Sequence, residues 1–111
     1  MICKPGAIVV VPFPFTDLPI AKPRPALVLS PAEMNGQTGQ TLMAMITSAA
    51  RSTWPHDVEI ADLEAAGLPR PCLIRWKLFS IDNRLIARQT GALSGPDRKA
   101  AAEAGRAVIA L

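Results

Sequence analysis

The sequence predicts a protein that is mainly β with some α: a small twisted β-barrel with a short helix, closed by a C-terminal helix. Three observations carry this. Short β-branched and apolar runs recur along most of the chain, separated by proline- and glycine-rich connections. Only the stretch after Ser94 has helical composition, rich in alanine and opened by a capping sequence. At 111 residues, 50% of them hydrophobic, the chain has room for one core and is read as a single domain over 1–111.

The elements follow in order. Ile8–Val11 is a β-branched strand, ended by Pro12 and Pro14, which have no N–H for a sheet ladder. A proline-rich loop runs to Pro23, and Pro25–Ser30 is the second strand. Pro31–Gln40, with Asn35, Gly36 and Gly39, reads as a turn-rich hairpin connection. Thr41–Thr47 is apolar on both faces, so it is expected to be buried on both. Asp57–Ile60 forms a short strand, and Asp62–Ala66 a single helical turn closed by Gly67. Leu73–Ser80 alternates, with Ile74, Trp76 and Leu78 on one face and Arg75 and Lys77 on the other. Leu85–Thr90 is the last strand. Ser94 with Asp97 three residues on makes a capping box. Behind it, Ala101, Ala104, Val108 and Leu111 form one apolar helical stripe.

Composition excludes several function classes. No apolar run approaches the roughly 20 residues that span a bilayer, so no membrane role is expected. The first residues carry Lys4 and Pro5 but no long apolar stretch or A-x-A site, which predicts no secretory signal. Cys3, Cys72 and His56 fall short of a structural zinc set, and no metal or other cofactor is expected. Two cysteines without a signal fit reduced thiols in a cytoplasm. The net charge of +3 permits an anionic partner. Its distribution says more: Asp57, Glu59, Asp62 and Glu64 fall in one segment, Arg70, Arg75, Lys77, Arg84 and Arg88 in the next. Such segregation yields either one basic surface suited to a phosphate backbone or ordinary solvated charge.

Two motifs decide between these readings. The first is Gly6–Leu18 (GAIVVVPFPFTDL) followed by Lys22–Ser30 (KPRPALVLS); the second is Met43–Ser48 (MAMITS). Each sets one polar group at a strand edge, Arg24 and Thr47. With Trp54-Pro55, Ala66-Gly67-Leu68, Arg75, Lys77-Leu78 and Gly91–Ser94 they form an ordered set that resembles the MazF/PemK family of toxin endoribonucleases over nearly the whole chain. The resemblance implies an SH3-like barrel of the MazF/PemK/CcdB type. It also implies a homodimer, cleavage of single-stranded RNA in a type II toxin–antitoxin system, and inhibition by a cognate antitoxin. Three positions depart from the family pattern: Ala7 where Asp is usual, Pro23 before Arg24, and Cys72 for the usual Ser. The loss of a carboxylate at residue 7 bears on catalytic vigour.

Arg24 and Thr47 are the catalytic pair that the resemblance implies, and their chemistry suits the task. RNA brings its own nucleophile, the 2′-hydroxyl, so the protein must supply in-line geometry and charge neutralisation at the phosphorane. Arg24 offers a planar donor fork, and Thr47 a hydroxyl stiffened by β-branching. Arginine deprotonates with great difficulty, so phosphorane stabilisation is its safer role. Phe15, Thr16 and Asp17 in the first loop, with Ser48, Arg75 and Lys77, are the expected RNA-binding residues. For Asp17 a loop cap is an equal alternative, and for Ser48 strand-end capping is the favoured one. Trp76 is expected in the core. Trp54 and Phe15 lie in loops and either stack bases or pack on the barrel. His56 lies outside the motif set and is expected to be an exposed loop residue. Two other classes stay open: a non-catalytic barrel toxin of the CcdB kind that binds a protein target through its C-terminal helix, and a degenerate member acting only as a dimeric binding module.

Overall fold

The computed structural model describes residues 1–13, 22–49 and 53–111. Phe15, Thr16, Asp17 and most of the proline-rich loop lie outside them. Six strands form one curled antiparallel sheet: β1 Ala7–Phe13, β2 Lys22–Val28, β3 Gln40–Ser48, β4 Val58–Glu59, β5 Cys72–Asp82 and β6 Arg88–Ala92, in the order β4-β5-β3-β2-β1-β6. Helices α1 Ala32–Thr38, α2 Leu63–Ala66 and α3 Gly95–Val108 complete the described chain. The fold is mainly β with three helices, a half-barrel, as the strand periodicity predicts.

The sheet is buried on both faces. Ile8, Leu27, Ala44, Ile46 and Ile74 face one cluster, covered by Ala66 of α2 and Ala101 of α3. Ala7, Val9, Val11, Ala26, Val28 and Met43 face the other, with Cys3, Ile81 and Ile86. This explains the unbroken apolar run in β1: its residues alternate between two interiors. The double-sided strands are therefore covered within the chain. Ala7 is a packing residue at 3% exposure.

Three expectations are corrected. First, residues 32–38 are a helix. Asn35 makes it one, because its amide is fully buried and donates to the Cys3 and Ser30 carbonyls, both at 3.1 Å, while Gly39 closes the turn at φ 73. Second, β1 runs through Pro12 and β2 starts at Lys22, three residues before the expected strand. Pro12 pairs with Pro23, a position where neither has an N–H to leave unsatisfied. Third, the last strand begins at Arg88. Asn83–Leu85 forms a 3-10 turn instead, capped by Asp82, and the Asn83 side chain is buried between Thr41 and the Asn35 carbonyl. A buried amide with two such partners outweighs the β-propensity around it.

The two later helices are capped as their sequences predict, with one addition. The Asp62 side chain accepts from Ala65 N, and Gly67 closes α2 at φ 68. Ser94 accepts from Asp97 N at the start of α3. The Asp97 carboxylate serves another junction: buried, it accepts from Ala61 N at 3.1 Å and Asp62 N at 2.9 Å, tying the entry of α2 to that of α3. Of the apolar stripe, Ala101 is buried and Ala104 and Val108 pack on the same cluster, whereas Leu111 is fully exposed.

Helix α2 reaches β6 backbone to backbone. A Cβ on Gly67 would run into the Thr90 carbonyl, and one on Gly91 into the Ala65 carbonyl. Thr90 bridges the junction, donating to the Ala66 carbonyl at 2.9 Å. Gly91→Ala should thus destabilise by about 1–3 kcal/mol through overpacking. Gly95→Ala, with nothing within 4 Å of its added methyl, should leave stability unchanged. Thermal melts of the two variants by circular dichroism check this; equal melting temperatures would refute the tight junction.

Candidate nucleic-acid interface

The register builds the site. Val9 pairs with Ala26, Ala26 with Met45 and Met45 with Arg75, making one row across four strands on a single face. Two residues further on, Val11 pairs with Arg24, and Thr47 with Leu73. The β2–β3 ladder itself stops at Ala26–Met45. Beyond it Pro25 and Pro23 have no amide hydrogen to offer a neighbouring strand. Continued by two residues, the same register sets Arg24 opposite Thr47 where the strands are no longer bonded. Arg24 and Thr47 thus share one face at one open end of the sheet. Arg24 is exposed, Thr47 half-buried and Ser48 exposed.

Arg75 lies on the same face and is buried. Its guanidinium meets the Asp57 carboxylate twice, Nε to Oδ1 at 3.2 Å and Nη2 to Oδ2 at 2.9 Å. The guanidinium hydrogen bonds hold the Asp57 carboxyl below its usual range despite burial, and Asp57 raises the Arg75 value in return. Lys77 is exposed. Trp76 and Lys77 form a bulge in β5, since Met45 pairs with Arg75 but Ala44 with Leu78. The bulge separates the fates of Arg75 and Lys77, which simple alternation sets side by side: one is locked to Asp57, and the other rests its ammonium 4.9 Å from the Trp54 ring centroid. Trp76 is in the core, as expected, with its indole N–H donating to the His56 carbonyl at 2.7 Å. His56 is exposed.

Two side chains not singled out by their motifs join this region. Asp57 is one, eighteen residues before the arginine it holds. Arg88 is the other. It pairs with Val10, itself paired with Pro25, and it lines with Arg24, Leu68 and Pro69 a surface cleft of about 320 Å³. Only its place at the end of the basic segment 70–88 hinted at it. A larger cavity, about 350 Å³, lies elsewhere, between α3 and the β2–β3 side. It is mostly apolar, with Trp76, Leu29, Leu42 and Ile109 in its walls and Arg98 and Arg106 among its lining.

Residues 4–109 match the model of the PemK-like, MazF-like toxins of type II toxin–antitoxin systems. The chain belongs to this family. Solved structures agree in fold. MazF of Deinococcus radiodurans superposes with a TM-score of 0.77 at 23% identity, covering 100% of this chain and 99% of that one. The same toxin in a MazE–MazF complex gives 0.78 at 23%, over 100% and 99%. The Mycobacterium tuberculosis toxin MazF-mt6 gives 0.73 at 24% identity, covering 95% and 97%. No curated protein matches the chain. Among the described residues, no helix is long and apolar enough to cross a membrane.

Proposed function

We propose that this protein is the toxin of a type II toxin–antitoxin pair and acts as a sequence-specific, metal-independent endoribonuclease on single-stranded RNA, messenger RNA foremost. The observation that carries this reading is the common register of Arg24 and Thr47 at the unpaired end of β2 and β3. The substrate's 2′-oxygen attacks its own phosphorus, and the 5′-oxygen leaves, yielding a 2′,3′-cyclic phosphate and a 5′-hydroxyl. Arg24 donates its fork to the non-bridging oxygens, where charge builds up in the phosphorane. Thr47 adds a neutral hydrogen bond from a hydroxyl held at a strand end. Lys77 and Arg88 contact neighbouring phosphates, and Phe15, Thr16, Asp17 and Ser48 complete the binding surface. Arg75, buried and paired with Asp57, shapes that surface by fixing the 54–57 turn rather than by direct contact with RNA. The free, buried cysteines Cys3 and Cys72 fit work in a reducing cytoplasm.

A homodimer and a cognate antitoxin complete the reading. The apolar cavity beside α3 and the exposed Ile109 and Leu111 favour a second copy, because an apolar patch on a small domain is most simply covered by symmetry. The antitoxin would bring an acidic segment to the basic surface and compete there with RNA. The same apolar cavity favours a second reading, a toxin that binds a protein target through α3 without cleaving RNA.

Assays on synthetic RNA in EDTA separate the two. Wild-type protein should cut. Arg24→Ala should lose about 100- to 1000-fold in rate, and Thr47→Ala should lose activity in the same direction but less, both while keeping the wild-type fold. Arg88→Gln should raise KM with little change in kcat. His56→Asn should cut at the wild-type rate; asparagine is chosen because residue 56 holds φ 64, which asparagine tolerates. A dead His56 variant, or growth arrest that survives Arg24→Ala, would overturn the ribonuclease reading. For assembly, sedimentation at micromolar concentration should report a dimer, and monomer alone would count against it.

A further inference from the structure

The turn before β4 is built more rigidly than its length requires, and it displays an aromatic ring. Trp54-Pro55-His56-Asp57 has the features of a type II turn: Asp57 N donates to the Trp54 carbonyl at 3.1 Å, proline stands second, and His56 at φ 64 stands third. A histidine there carries strain that glycine would avoid. Four further bonds hold the turn, one within it and three to β5. The Asp57 carboxylate accepts from Trp54 N at 2.9 Å and takes the Arg75 fork, and the His56 carbonyl receives the Trp76 indole N–H. Yet Trp54 is 42% exposed, while the other tryptophan, Trp76, is 7% exposed. Lys77, lifted out by the β5 bulge, stands over the Trp54 ring.

We propose that Trp54 is a base-stacking platform for single-stranded RNA, with Lys77 holding the phosphate beside the stacked base. This rests on the ribonuclease reading above and names a part of the site that the catalytic pair does not supply. An exposed indole has a π-face for any base, and stacking tolerates sequence. Fixing the ring in advance spares the ordering cost that a mobile loop residue would meet on binding. The ammonium already beside the ring supplies the charge that a single strand needs at the next phosphate. Position supports the assignment. Leu73 pairs with Thr47, and Arg75 to Lys77 lie two to four residues further along β5, roughly 7–13 Å at strand spacing. That distance suits a nucleotide neighbouring the one cut.

The test uses a single-stranded, mixed-sequence 2′-O-methyl RNA, which has no 2′-hydroxyl to attack with and stays intact. Because the chain has only two tryptophans and Trp76 is buried, the iodide-accessible part of the emission reports Trp54. RNA should quench the emission and protect it from iodide. Trp54→Leu should bind on the order of 10-fold more weakly, and Trp54→Phe should restore most of the loss. Lys77→Gln should lower the slope of log affinity against log salt by about one. Melting curves check that the exposed-site variants stay folded. A wild-type protein that cuts RNA while Trp54→Leu binds and cuts equally well overturns the stacking role alone. Quenching by an acidic peptide but not by RNA also overturns it, in favour of a protein partner. A wild-type protein that neither binds nor cuts RNA overturns the ribonuclease reading and the platform together.

Discussion

The β2–β3 ladder stops at Ala26–Met45, and the shape of the candidate site depends on where it stops. Proline at 23 and 25 keeps β2 extended and satisfied towards β1, where pairing continues to Phe13–Lys22, but offers β3 no further amide hydrogens. A paired β2–β3 end would bury the backbone and present a flat edge. An unpaired one leaves a charged fork and a hydroxyl across a gap. The rest of the fold keeps that gap in register: β1 is locked between two apolar clusters, so β2 cannot slip by one residue without turning Ala26 and Val28 out of the core.

A second constraint acts across β5. Arg75 could have been one more surface cation; burial against Asp57 makes it a structural charge. Removing Asp57 would strip the buried guanidinium of its carboxylate counter-charge, the costly case for such pairs. The pair also sets the turn at 54–57, so the electrostatics of the strand and the display of Trp54 are one device. Exposed pairs are different in kind. Arg84 with Asp82 reaches only two residues along the chain, and the arginine side chain stays 88% exposed. That contact lowers the Asp82 carboxyl to about 2 yet anchors nothing beyond the 3-10 turn it caps.

Much of this was legible in the residues, and the reasons it was not elsewhere are physical. Caps and stops announced themselves: Asp62 with Gly67, and Ser94 with its alanine-rich run, form the helices their sequences describe. Helix α1 was hidden because Asn35, Gly36 and Gly39 are turn formers; only the long-range bonds of Asn35 to Cys3 and of Asn83 to Asn35 reveal why a helix wins. The β5 bulge was hidden because it inserts two residues and so keeps alternation intact while changing which side chain is sheltered. Of the candidate site, the Arg24–Thr47 pair could be read from strand edges and family motifs. Asp57 and Arg88 could not, since one is defined by a partner eighteen residues away and the other by a neighbouring strand.

On the proposed reading the protein stabilises a reaction whose nucleophile belongs to the substrate. The most direct measurement compares two RNAs that differ by one atom, a ribose or a 2′-deoxyribose at the nucleotide that is cut, and identifies the ends formed. The all-ribose strand should be cut in EDTA, with a 2′,3′-cyclic phosphate on one product and a 5′-hydroxyl on the other, and the deoxy-substituted strand should stay intact. Cleavage of the deoxy-substituted strand at the same position, or a 5′-phosphate product, would contradict it.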